Sequence, residues 1–385
     1  MVTLRRQLHT HPELSGEEVE TTRRLCELLE GHGVRVRSLQ DGRGLVADSA
    51  DQTAPRRVAL RGDIDALPIQ DQKQVEYRSR AEGVMHACGH DAHAACVYGA
   101  ALALDTAAAA GELPWPVSWR ALFQPAEETA TGAKQMIAEG ELAAVASILS
   151  LHVDPSRPAG VIGVRAETFT AHCDDLRIKI EGVGGHAARP HECRDPIAAS
   201  ALLINSLYQI VPRSIDSQDS CVLAITKMRG GHTTNVIPSH VELAGMVRSL
   251  GGDVRSQALA QVAHLADGIA GLTGTKIHVE FGAHLPGVEN DPRLTDLVAS
   301  VARSLLGADR VEQIGRPSMG GEDFAYYLDH VPGMMFRLGA ARSAAPAFGL
   351  HTPLFDIDER CLPIGAKILA AAVVEESKPD AARRP

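Results

Sequence analysis

Basic charge is the first thing this sequence has too little of. Lys and Arg together number 38 against 48 Asp and Glu, for a formal net charge of −10. With no local Lys/Arg cluster to reverse that balance, the chain offers no field for phosphate backbones, and nucleic acid is not expected as a partner. Long apolar runs are missing too. The Ala-rich run from Ala94 to Ala110 is interrupted by Asp105 and followed by Gly111, short of the roughly 20 apolar residues that a bilayer crossing needs. No apolar stretch follows the charges of M-V-T-L-R-R-Q-L-H-T, so no leader is read there, no membrane is expected as a partner, and the expected location is the cytoplasm. The 7 cysteines are odd in number, scattered, and form no C-x-x-C pair, which excludes a disulfide scaffold as the basis of the fold. Aromatics are only 4%, so Leu, Val, Ile and Ala must fill the core.

That apolar material is ample. Hydrophobic residues make up 45% and charged residues 22%, ordinary values for a globular chain. At 385 residues the chain exceeds the size at which one core stops growing, so two domains are expected. The first stretch alternates helical and strand patterns. Helices are read around Leu4 to Leu29 with a break near His11-Pro12, then strands over Val34 to Leu39 and Arg56 to Arg61, a helix over Asp91 to Ala110, and strands over Val117 to Phe123 and Ala146 to Leu151. At about Cys173 the order becomes β-α-β-β-α-β: strands at Asp174–Glu181, Ser220–Arg229, Val241–Leu250 and Thr275–Phe281, with helices at Asp195–Val211 and Asp253–Leu272. This is the ferredoxin-like order. The α/β pattern then resumes with a helix from Asp291, a strand at Met334–Leu338 and a final helix over Asp358–Val374. The expected architecture is two-domain α/β: a discontinuous mixed-sheet domain from 1–172 and 283–385, and an inserted ferredoxin-like domain over 173–282.

The chemistry concentrates in Met85–His93, M-H-A-C-G-H-D-A-H, where a thiol, three imidazoles and a carboxylate share nine residues. Cys88 and His90 flank a glycine, so both side chains can face one ion. A structural buried Cys is the plainer reading of a lone thiol, but the crowding favours a metal. Thiolate and imidazole suit zinc, manganese, cobalt or nickel better than calcium or magnesium. Other candidate groups leave predicted strand ends: Asp63 and Asp65, the adjacent Glu127 and Glu128, and His152. Open α/β sheets place ligand sites there. Two adjacent carboxylates are costly to hold together unless a cation or shared proton offsets them, which suggests that one binds metal and the other acts as a base. Gly182–Ala187 and Gly230–Pro238 are glycine turns without dinucleotide or Walker spacing. They would present His186 and Asn235 on loops.

The blocks R-G-D-I-D-A-L-P, M-H-A-C-G-H-D-A-H, Q-P-A-E-E, S-L-H-V, G-G-H-A-A-R-P-H, N-V-I-P, G-G-E-D-F and G-L-H-T-P-L-F-D-I-D-E occur in that order over nearly the whole chain. The set resembles the metal-dependent aminoacylase and carboxypeptidase amidohydrolases. It looks most like the branch of N-acyl-amino-acid amidohydrolases, hippurate hydrolases and auxin-conjugate hydrolases. The resemblance implies Cys88, His90, Glu128, His152 and His351 as metal ligands and Glu127 as general base. It also implies that the inserted domain is a lid and dimerisation domain, with His186 and Asn235 reaching the substrate and Arg248 receiving its carboxylate. Asp63 and Asp65 stand where other branches carry H-x-D, and Asp63 is not expected to be a ligand.

Amide hydrolysis by such a site needs activated water, a proton carrier and an oxyanion donor; the metal, Glu127 and His186 would supply these. Five ligands exceed the need of one tetrahedral ion, so two ions per subunit are expected. The expected substrate is an N-acyl amino acid and the expected assembly a homodimer, with His186 serving its own or the neighbouring subunit's site. The alternatives are a dipeptidase, an aromatic-amine aminohydrolase or a non-catalytic metal-binding relative.

Overall fold

Strand by strand, the apolar pattern determines which sheets can be covered on both faces. In Arg57–Asp63 and Ser118–Gln124 nearly every side chain is buried, as expected of central strands covered on both faces. In His172–Glu181, by contrast, Asp174, Leu176, Ile178 and Ile180 are buried while Asp175, Arg177 and Lys179 are exposed, the alternation of a sheet with one face in water. These two kinds of strand build two kinds of sheet. A computed structural model describes residues 1–50, 56–342 and 348–379, and the chain divides into two compact units.

The first unit comprises Met1–Glu167, Val288–Arg316 and Asp323–Pro385. Eight of its described strands form one mixed sheet. Across it the order is Arg35–Ser38, Leu45–Asp48, Ser118–Gln124, Arg57–Asp63, Val145–Pro158, Gly333–Ala341, Ile162–Val164 and Val311–Gln313. The three central pairings, from Ser118–Gln124 to Gly333–Ala341, are parallel. Their core includes Trp119, Phe123, Phe336 and Phe355, all 2% exposed or less, with helices His90–Ala109 and Cys361–Glu376 packed together beside it. Helix Pro292–Leu306 starts where Asp291 accepts the Leu294 N–H at 2.8 Å and Pro292 occupies the first turn.

The second unit comprises Thr168–Gly287 and Pro317–Glu322. Its four-stranded sheet runs in the order Cys221–Gly230, His240–Ser249, His172–Glu181, Lys276–Leu285, antiparallel throughout. Helices Pro196–Ser214 and Gly252–Thr273 bury Leu203, Leu207, Val254 and Val262 against Leu176, Ile178, Ile180 and Leu243 of the sheet, a core separate from the first. This is the ferredoxin-like arrangement.

Three readings are corrected. The unit begins at Thr168 rather than 173, ends at Gly287 rather than 282, and takes in Pro317–Glu322 as well. The strand expected to stop at Leu151 continues through His152 to Pro158, because its parallel pairing with Gly333–Ala341 keeps His152 in register with Arg337. The glycine turns at Gly185 and Val236 instead pair as a short antiparallel ribbon, His186 opposite Val236. Among the described residues, no helix is long and apolar enough to cross a membrane.

Candidate metal centre

Gly89 determines how the Cys88–His90 pair is presented. It adopts φ 91°, and a Cβ there would lie 2.4 Å from Val153 Cγ2, so only glycine allows both the left-handed turn and the close approach. His90 then opens the Ala-rich helix. The paired acids sit on a second tight turn, where Ala126 has φ 51°. A Cβ at Gly132 would lie 1.6 Å from the Pro125 carbonyl oxygen, so the turn is clamped by backbone. His351 also has positive φ, 60°. Its N–H donates to the Ala87 carbonyl at 2.8 Å, which ties its loop to the residue before Cys88.

These elements bring Cys88, His90, Glu127, Glu128, His152 and His351 together. Cys88 Sγ is 3.5 Å from His152 Nε2. Glu128 Oε1 is 3.3 Å from His351 Nε2 and 3.9 Å from His90 Nε2. His90 Nε2 lies 3.9 Å from Glu127 Oε2 and 3.7 Å from Asp63 Oδ2. Triplets of these residues have ligand atoms within 4.8 Å of one another: Cys88, His90, His152; Cys88, Glu128, His351; and His90, Glu127, Glu128.

Hydrogen bonds leave particular atoms facing inward. His90 Nδ1 contacts the Asp65 carboxylate and carbonyl, each at 2.9 Å, and His152 Nδ1 contacts the Val153 carbonyl at 2.8 Å. Each ring thereby turns Nε2 to the cluster, the way a metal-binding imidazole is usually oriented by its other nitrogen. Among the described residues, His90 Nε2 and Glu128 Oε1 are buried without a hydrogen-bond partner, which is costly unless a cation lies between such groups. Burial lowers the basicity of His152, keeping its ring neutral, and pushes the Cys88 thiol up. Burial alone would lower His90 as well, yet Asp63, Cys88 and Asp65 outweigh it and raise its pKa. That negative field also favours a metal cation, and the donor set fits one.

Several residues support the cluster in ways that sequence reasoning missed. His93 is committed at both nitrogens, Nδ1 to Asp63 Oδ1 at 2.6 Å and Nε2 as acceptor of the Val153 N–H at 2.9 Å. Although it lies within ligand distance of Asp63 and His90, it serves as a brace. Asp65 also accepts from Ser15 Oγ at 2.6 Å and from the Glu128 N–H at 3.0 Å. Arg61, fully buried, donates to Asp63. A charged residue inside an otherwise apolar central strand was the available signal.

His186, Asn235 and Arg248 lie in the second unit. The short ribbon brings the first two near each other, with the Ala187 N–H donating to the Asn235 carbonyl at 3.1 Å, and both side chains are exposed. His186 Nδ1 accepts the Ala188 N–H at 3.1 Å, which leaves Nε2 as the protonated, donating nitrogen of the neutral ring. Arg248 is on strand His240–Ser249, half-buried, and donates to the Met319 carbonyl.

Residues 59–375 match the model of peptidase family M20/M25/M40. The chain is 37% identical over 375 residues to N-acetylcysteine deacetylase of Bacillus subtilis, covering 97% of this chain and 96% of that one. It is 34% identical over 385 residues to an IAA-amino acid hydrolase of Arabidopsis thaliana, covering 100% and 86%. A crystal structure of a dinuclear metal-binding M20 peptidase from Bacillus subtilis superposes with TM-score 0.84 at 32% identity, covering 97% of each chain.

Proposed function

The chain belongs to peptidase family M20/M25/M40 and is a metal-dependent amidohydrolase, and from that premise we propose that it cuts N-acyl amino acids into a carboxylate and a free amino acid. One observation carries the reading: ligand-type side chains converge on His90 Nε2 and Glu128 Oε1, which have no hydrogen-bond partner among the described residues, with the carboxylate of Glu127 beside them. The relatives named for N-acetylcysteine and IAA-amino acid hydrolysis support the substrate class.

Cys88, His90, Glu128, His152 and His351 would hold the metal, read as two divalent transition ions of the zinc, manganese, cobalt or nickel kind. When bound, such ions supply Lewis acidity to a carbonyl oxygen and acidify water. Glu127 does the proton work. Its Oε2 takes a proton from the attacking water and returns it to the leaving nitrogen. Chain adjacency to Glu128 holds it there, and a side chain only 10% exposed keeps bulk water from competing. His186 Nε2–H is an oxyanion donor in this reading. Asn235 contacts the amide and Arg248 the substrate carboxylate.

We read the assembly as a homodimer through the inserted unit. Ile197, Leu202, Tyr208 and Ile210 on helix Pro196–Ser214, and Val222 and Met228 on the edge strand Cys221–Gly230, are 40 to 48% exposed. Exposed apolar side chains on a helix and on an edge strand, to whose outer side no further described strand pairs, are what a second copy would cover.

The test is a hydrolysis panel on enzyme loaded in turn with each of the four metals. N-acetyl, N-benzoyl and N-indolylacetyl amino acids should release free amino acid. Activity confined to dipeptides or to deamination of an aromatic amine would replace the proposal.

A further inference from the structure

The G-G-E-D-F turn supplies none of the proposed ligands, yet it carries a fully buried carboxylate, Asp323. Oδ1 accepts from Arg61 Nη2 at 2.7 Å, both oxygens accept from Gln124 Nε2 at 2.9 Å, and Oδ2 accepts the Ala133 N–H at 3.1 Å. Gln124 is fixed from its other end, where Oε1 accepts from Arg61 Nε at 2.8 Å and from the Tyr327 hydroxyl at 3.1 Å. Arg61 and Gln124 belong to the two strands whose ends deliver Asp63 and the Glu127–Glu128 turn, and Ala133 lies in the helix that follows that turn. Asp323 therefore fastens the turn from both sides. Its own backbone N–H donates to Glu127 Oε1 at 3.4 Å.

We propose that Asp323 is a positioning residue for Glu127. With its carboxylate anchored on three segments, its N–H is a fixed donor that holds Oε1. The other oxygen, Oε2, 3.9 Å from His90 Nε2, is then the one that exchanges the proton. A carboxylate free to rotate would present either oxygen and spend part of its time misaligned, which lowers the rate without changing substrate affinity. The inference rests on reading Glu127 as the general base.

Asp323→Asn keeps the shape but makes one acceptor a donor, which must then face Arg61, Gln124 or the Ala133 N–H. The expected result is a kcat lowered ~10- to 100-fold, the scale of a misplaced catalytic group, with KM and metal content unchanged. Tyr327→Phe removes the hydroxyl that donates to Gln124 Oε1 and to Met136 Sδ and, leaving every bond of Asp323 itself in place, is the milder variant; it should lower kcat ~2- to 5-fold in the same pattern, and it decides the matter if Asp323→Asn does not fold. Each variant is also made in Glu127→Gln. Acting through Glu127, neither should lower the residual rate of that background further. Equal fold-losses in both backgrounds, a loss carried by metal content, or a lowered Tm with unchanged kcat would each overturn the inference. Full turnover by Glu127→Gln alone would instead overturn the base assignment.

Discussion

At the residue scale, metal binding depends on which ligand atoms face into the cluster. Cys88 is 7% exposed and faces His152 Nε2, so Cys88→Ala should lose at least one equivalent of tightly held metal while folding normally. Metal analysis after dialysis checks this, and wild-type content would remove Cys88 from the ligand set. A second prediction concerns acid stability. Burial would raise the Asp71 carboxyl, but hydrogen bonds from His9 and from the Ser79 and Lys73 N–H groups outweigh it and bring it down to about 2. Its stabilisation is complete above the unfolded value near 4 and is lost as pH falls from there toward 2. Asp71→Asn should therefore lower Tm at neutral pH and flatten the fall of Tm between pH 5 and 3; an unchanged slope would contradict this. That Cys88, His90, Glu127 and Glu128 would converge was legible in the sequence because their chemistry is crowded locally. The bracing contacts of His93 were not. They run to Asp63 and to the Val153 N–H, and span 30 and 60 residues.

At the scale of elements, the candidate site gathers at the ends of strands Arg57–Asp63 and Ser118–Gln124, and glycines shape its turns. Gly89→Ala would place a methyl against Val153 at a left-handed backbone position, a strain of about 1–2 kcal/mol before any clash. The helix start should shift, and metal content should fall with it. Normal metal binding by this variant would show that the turn is not needed. His152 shows where the one-dimensional reading stops. The apolar run A-S-I-L-S-L ends at residue 151, but the strand continues for seven residues, because the neighbouring Gly333–Ala341 strand supplies ladder hydrogen bonds that local composition does not reveal. The inserted unit was easier to read, since its alternating strands and its helices opening at Asp195 and after Gly251 carry their own signals.

At the scale of the whole molecule, two separate cores account for the length, and the broken first core explains why the site draws on both ends of the chain. Leu202→Asp and Ile210→Asp place charges at two exposed apolar positions of helix Pro196–Ser214 and should turn a dimer into a monomer by light scattering, without unfolding it; wild-type mass at monomer size would remove the dimer proposal. The most direct test of the central claim compares wild-type and Glu127→Gln protein for bound metal and for release of free amino acid from the best N-acyl substrate in the panel. Equal metal content with turnover reduced at least ~100-fold is predicted for the loss of a general base. Undiminished turnover with equal metal would contradict the account.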